Sequence, residues 1–131
     1  MDCPGIPTLD NDASPWLASG ERHPYLATLE ITQRCNNVCT HCYLRPATRR
    51  PPADLPTEFW LELMDVLVDE STLFIAFTGG EPLLRADFAD LYRGAKRRGL
   101  SPSVLTNGRL VDDSIADLFH KLPPRQVSAG R

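Results

Sequence analysis

Leu73-Phe74-Ile75-Ala76-Phe77-Thr78 is an unbroken apolar run that stops at Gly79-Gly80. A run of this length without alternation suits a strand covered on both faces, as the strands of parallel sheets are. On either side of it the period changes. Upstream, Trp60, Leu61, Leu63, Met64, Leu67 and Val68 recur at helical spacing within Glu58–Glu70, behind Thr57 as the candidate N-cap. Downstream, Phe88, Leu91, Tyr92 and Ala95 fall at i, i+3, i+4 and i+7 after the N-cap candidate Asp87, and Gly99 is placed to end that helix.

The same alternation extends outward. Tyr25–Thr32 reads as a first strand anchored by Leu26, Leu29 and Ile31, with Glu30 its one charge. Ser103–Thr106 reads as a short third strand. A third helix is expected from about Asp113 to Leu122, with Ile115, Leu118, Phe119 and Leu122 on one face and Pro123-Pro124 as its stop. Gln126-Val127-Ser128 then opens a fourth strand. Strand and helix alternating in this way mean βαβ units, a parallel sheet and the α/β class. Residues 1–24, rich in Pro, Gly, Ser and Asp, are expected to be a flexible leader that touches the domain edge through Trp16 and Leu17. Residues 25–131 form one domain.

The 131 residues leave room for one modest core. With 42% hydrophobic and 24% charged residues the composition is that of a globular chain. A formal net charge of −3 makes no electrostatic case for nucleic acid or for an anionic membrane. Arg49-Arg50 and Lys96-Arg97-Arg98 read as solvated faces or helix C-termini. No apolar run approaches the roughly 20 residues of a membrane span, and no secretory signal opens the chain. The expected location is the cytoplasm, where thiols stay reduced and clustered cysteines bind metal or do chemistry.

Cys35, Cys39 and Cys42 lie in Cys-Asn-Asn-Val-Cys-Thr-His-Cys-Tyr, on the loop that leaves the first strand. Thiolates this close can converge on one centre. A structural zinc site needs four ligands, which His41 or His23 could complete. A 4Fe–4S cube held by three thiolates keeps one iron open, as a reactive centre requires. Both readings stand at this point. Gly79-Gly80-Glu81-Pro82 follows the second strand. Its glycines permit close backbone approach to a ligand, Glu81 offers a carboxylate to a cation, and Pro82 fixes the exit. Thr106-Asn107-Gly108 ends the third strand and sets a further polar loop on the same edge, where parallel sheets bind ligands. Cys3 is off the spacing, and His23 and His120 show no partner in sequence.

Cys35-(3)-Cys39-(2)-Cys42, followed by Gly79-Gly80-Glu81-Pro82 and then Leu105-Thr106-Asn107-Gly108, resembles the radical S-adenosylmethionine (radical SAM) superfamily over about Tyr25 to Ser128. Leu29-Glu30-Ile31-Thr32-Gln33-Arg34-Cys35-Asn36-Asn37 is similar to the branch of peptide-modifying and cofactor-maturing enzymes. That branch includes those of pyrroloquinoline-quinone and heme d1 synthesis. The resemblance implies a partial parallel (β/α) barrel of about three βα units plus a fourth strand stub. It implies a 4Fe–4S cluster on Cys35, Cys39 and Cys42, with the open iron taking the amino and carboxylate groups of S-adenosylmethionine. Gly79, Gly80 and Glu81 would bind the amino group, with Pro82 closing the loop. His41 would stand where the family often has an aromatic residue against adenine, while Asn107 and Ser128 complete the cofactor set. The implied reaction is reductive cleavage of S-adenosylmethionine to a 5′-deoxyadenosyl radical.

An electron donor and a peptide or small-molecule substrate would be the other partners. The family core has about six βα units of roughly 30 residues, so the chain is expected to be the N-terminal part of that core. Two consequences follow as expectations. Ser103–Thr106 would be an unpaired edge, and the barrel interior would be exposed apolar surface, both favouring self-association or a partner chain. The competing readings are a non-catalytic remnant that holds only the cluster, and a small zinc-binding module.

Overall fold

The computed structural model describes residues 23–42 and 51–129. The expectations for Cys3, for Trp16 and Leu17 in the leader and for Arg49-Arg50 lie outside them. Four strands, β1 (Leu26–Thr32), β2 (Phe74–Gly79), β3 (Ser101–Thr106) and β4 (Gln126–Ala129), form one sheet in that order. Every neighbouring pair is parallel. Three helices fill the crossovers: α1 (Thr57–Asp69), α2 (Phe88–Arg97) and α3 (Asp113–Lys121), with a 3-10 turn at Pro82–Leu84. Sequential order with right-handed crossovers puts the helices on one face. The class is therefore α/β, with three βα units and a fourth strand, and the sheet is open.

One register row shows how the core is filled. Leu29, Phe77, Val104 and Val127 pair across the four strands. The first three are buried against Met64 of α1, Leu91 and Tyr92 of α2, and Leu118 of α3. Phe88 anchors an aromatic group, with ring centroids 5.8 Å from Phe77, 6.0 Å from Tyr92 and 6.4 Å from Phe119. The Tyr92 hydroxyl donates to the Leu122 carbonyl at 2.7 Å, and burial raises its pKa to about 12.

Alternation sends the next row to the opposite face. That row is Thr28, Ala76, Ser103 and Gln126, followed by the pairs Glu30–Thr78 and Leu105–Ser128. This face carries Leu26, Phe74 and Leu105 among Thr28, Glu30, Thr78, Ser103 and Ser128, and is thus more polar than the apolar interior expected. The unpaired edge expected at Ser103–Thr106 is also absent. β4 covers it over four pairs, Ser103↔Gln126 to Thr106↔Ala129. β3 begins two residues earlier than expected and includes Pro102. The Pro102 carbonyl accepts from Arg125 N–H at 2.8 Å. Its missing donor therefore faces the β4 side, just ahead of the first β3–β4 pair, where no ladder bond is lost.

Helix ends differ from the sequence reading in mechanism. Thr57 is the first helical residue rather than the cap, and its hydroxyl donates to Asp87 at 2.5 Å. Asp87 precedes α2 as expected, but its side chain makes no capping bond. Its carboxylate takes the guanidinium of buried Arg85 through two contacts, Nε–Oδ1 at 2.8 Å and Nη2–Oδ2 at 2.6 Å. Gly99 does end α2, at φ +79, with Gly99 N–H on Lys96 O and Leu100 N–H on Ala95 O. Ser71 holds the equivalent position after α1 at φ +64.

Candidate functional site

The C-terminal ends of β1, β2 and β3 carry the three loops singled out in sequence, and the structure joins them. Gly80 N–H donates to Thr32 O at 2.9 Å, and Glu81 N–H donates to Arg34 O at 2.8 Å. A Cβ on Gly79 would lie 2.1 Å from Thr32 O, and one on Gly80 would lie 2.2 Å from Arg34 O and 3.0 Å from the Cys35 Cβ. Gly79 also has φ +137, where a side chain is strained. The backbone that the two glycines admit is the root of the cysteine loop.

Glu81 sits behind this contact, with no exposed surface. Its Oε1 accepts from the Thr106 hydroxyl at 2.7 Å and from Leu83 N–H at 3.1 Å, and its Oε2 accepts from Asn107 N–H at 2.7 Å. Three donors and full burial turn the carboxylate into a brace between the second and third loops. It is not the open acceptor for a cation that the sequence suggests. Pro82, also buried, opens the 3-10 turn. Asn107 Nδ2 donates to Asn36 Oδ1 at 2.6 Å, and Asn107 Oδ1 accepts from Arg109 N–H at 3.1 Å. Gly108, at φ +79, lets the chain turn there.

Between these loops lies a cavity of about 280 Å³. Its walls carry Cys35, Cys39 and Cys42 on the side of the first loop and Gly80, Asn107 and Ser128 on the others. Cys35 and Cys39 are exposed and Cys42 is half-buried. All three are free thiols on one wall, a donor set that suits a soft metal centre open to the cavity. The Cys35 Sγ accepts from Asn37 N–H at 3.4 Å, and Cys42 N–H donates to Cys39 O at 3.2 Å. Among the described residues, no three His, Cys, Asp or Glu side chains are gathered closely enough to share an ion.

The other expected site residues stand apart from this cavity. His41 is exposed and does not line it. His23 precedes β1, the full strand away from the cysteines, and lies 3.8 Å from Glu70. At roughly 3.3 Å per residue the seven-residue strand puts more than 20 Å between them, which removes His23 as a fourth zinc ligand.

Sequence reasoning passed over three residues that hold the site. Arg85, with a side chain 4% exposed, donates through Nη1 to Ile31 O at 2.8 Å and to Leu55 O at 3.0 Å. It thereby fixes the end of β1 to the approach of α1. Arg34 binds Asp54 at 2.6 Å, and Asn36 meets Asn107. Their partners lie 20 to 71 residues away, so no local pattern announces them.

The family model of the radical SAM superfamily matches residues 29–130. The PqqA peptide cyclase of Granulibacter bethesdensis is 33% identical over 92 residues, 70% of this chain and 25% of that protein. The AdoMet-dependent heme synthase of Oleidesulfovibrio alaskensis is 36% identical over 95 residues, 72% of this chain and 24% of that protein. The chain thus spans about a quarter of the length of these relatives. Among solved structures, Streptococcus suis SuiB bound to S-adenosylmethionine superposes with a TM-score of 0.70 at 19% identity, covering 85% of this chain and 26% of that one.

Proposed function

The chain belongs to the radical SAM superfamily, and on that premise we propose that it binds a 4Fe–4S cluster and S-adenosylmethionine at the cavity between its strand ends. The observation that carries this reading is that all three cysteines line one cavity together with Gly80, Asn107 and Ser128. Cys35, Cys39 and Cys42 each supply a thiolate to one iron. When bound and reduced, the cluster supplies the electron for cleavage of S-adenosylmethionine to methionine and a 5′-deoxyadenosyl radical. The Gly79–Glu81 backbone receives the amino group. As a neutral amine that group would keep N–H donors, which backbone carbonyl oxygens of this segment can accept, while the Gly80 and Glu81 N–H groups are held by Thr32 and Arg34. Asn107 and Ser128 offer polar atoms to the ribose, and Pro82 holds the loop from behind. His41, on the cysteine loop but outside the cavity lining, is the group we assign to adenine.

The names of the relatives point to a peptide in one case and to heme in the other. We take a peptide or small molecule, approached from the polar face of the sheet, as the hydrogen donor, with a separate electron donor for the cluster. Among the described residues no helix is long and apolar enough to cross a membrane. The reading is tested by anaerobic reconstitution with assays of iron, sulfide and zinc. About four irons per chain are expected, lost in Cys35→Ala, Cys39→Ala and Cys42→Ala. The electron paramagnetic resonance spectrum of the reduced protein should shift on adding S-adenosylmethionine. Stoichiometric zinc without iron would return the chain to a zinc module, and a cluster with no spectral response would make it a cluster-holding remnant.

A further inference from the structure

We propose that Asn36 is a positioning residue that locks the cysteine loop to the far wall of the cofactor cavity; this rests on the reading of the site just given. The backbone bonds from Gly80 and Glu81 reach the cysteine loop only as far as Arg34. From Cys35 onward, the described loop makes one side-chain hydrogen bond to another element, Asn36 Oδ1 receiving Asn107 Nδ2 at 2.6 Å. Asn36 follows Cys35 directly, so this bond sets where the first thiol stands relative to the third loop.

The amide orientations follow from the surrounding bonds. Arg109 N–H donates to Asn107 Oδ1 at 3.1 Å, so the other end of that amide is the NH₂ group and Asn36 must present its oxygen. Asn107 is itself fixed, because its N–H is held by Glu81 Oε2 at 2.7 Å. Glu81 has no exposed surface, and its other oxygen binds Thr106 and Leu83. A rigid brace therefore ends in one donor, and that donor points at the residue beside Cys35. Both Cys35 and Asn107 line the cavity, so the bond, made by the neighbour of one and by the other, ties the two walls together.

Removing the Asn36 side chain leaves the loop root and all three thiols in place. Cluster assembly should be untouched, while the pre-set spacing between cluster and nucleoside walls is lost. A neutral, solvent-facing hydrogen bond of this kind is worth about 1 kcal/mol, or about five-fold in affinity.

The test compares the wild-type chain with Asn36→Ala and Asn36→Asp, the latter keeping the acceptor. Iron and sulfide content should be equal in all three. By calorimetry on the anaerobic holoprotein, S-adenosylmethionine should bind Asn36→Ala about five-fold more weakly, with a smaller shift of the cluster's resonance spectrum, and Asn36→Asp should restore both. In the apo chain, hydrogen exchange at Arg109 N–H should quicken in Asn36→Ala alone. Wild-type affinity in Asn36→Ala, or an equal loss in Asn36→Asp, would overturn the proposal, as would loss of iron in Asn36→Ala. If the wild-type protein itself bound iron but no S-adenosylmethionine, the reading of the site would fall and this inference with it.

Discussion

Gly80→Ala should unseat the cysteine loop. The new Cβ would stand 2.2 Å from Arg34 O and 2.6 Å from Arg34 C. Reaching ordinary contact at 3.4 Å requires the two loops to part by more than 1 Å. That movement breaks or stretches the Gly80–Thr32 and Glu81–Arg34 hydrogen bonds, each worth about 1 kcal/mol. Overpacking against backbone, which cannot rotate away, adds about 1–3 kcal/mol. The expected loss is about 3–5 kcal/mol, a large share of the stability of an ordinary domain. Gly99→Ala is the calibrating variant. Its φ is +79 but nothing lies within 4 Å of an added Cβ, so it carries only backbone strain of about 1 kcal/mol. Urea denaturation of the apo chain measures stability, and iron content after anaerobic reconstitution measures the loop. Gly99→Ala should lower the midpoint slightly and keep full iron. Gly80→Ala should lower it severely and lose iron as well. A Gly80→Ala protein with the wild-type midpoint and full iron would refute the claim that these loops are packed backbone to backbone.

Three further outcomes follow from single contacts. The Arg85 guanidinium beside Asp87, helped by the Thr57 hydroxyl, holds the Asp87 carboxyl at about 2, below its ordinary 3.8. Its stabilising effect is complete above the ordinary value and is lost as pH falls from about 4 towards 2. It amounts to at most about 2 kcal/mol. Asp87→Asn should therefore flatten the acid limb of a midpoint-versus-pH series and cost about 3 kcal/mol at neutral pH by stranding a buried cation; an unchanged limb would contradict this. Ser71→Gly should raise the thermal midpoint by relieving φ +64 after α1, a gain of about 0.5–1 kcal/mol, and a lower midpoint would count against it. Phe88→Ala, at a ring 2% exposed among three aromatic neighbours, should cost about 3–5 kcal/mol in chemical denaturation, and a loss under about 1 kcal/mol would mean that this aromatic group is not the core.

The period of the apolar residues was enough to place each strand and helix within a few positions, because burial against one common layer imposes it. It also named the face of α2 correctly: Phe88, Leu91, Tyr92 and Ala95 are all buried. The broad face read on α1 was too generous, since Val68 is 37% exposed. What period cannot carry is partnership at a distance. Thr57 and Asp87 look like caps because their residue types cap helices, yet Thr57 is taken by Asp87, 30 residues away, and Asp87 by Thr57 and by Arg85, two residues away. A short polar side chain next to a helix start has the same local signature whether it bonds its own helix or a neighbour. The polar cast of the open sheet face was legible in principle from Thr28, Glu30, Thr78, Ser103 and Ser128. Fixing which face they share, however, required the parallel register that only the folded chain displays.

The glycine pair shows why such a gap matters for function. In sequence, Gly79-Gly80 at a strand end reads as room for a ligand. In the fold, the space is taken by Thr32 O and Arg34 O, so the second motif is part of the support of the first. A Gly80→Val protein that no longer answered S-adenosylmethionine would not locate the cofactor, because the same change displaces Cys35. Substitutions that separate the two effects must act from the cavity side, where Asn107 and Ser128 stand across from the thiols. Ser128→Ala is the cleaner of these, since among the described residues the Ser128 hydroxyl accepts only from the exposed Gln126 side chain at 2.8 Å, whereas Asn107 is also part of the brace through Glu81.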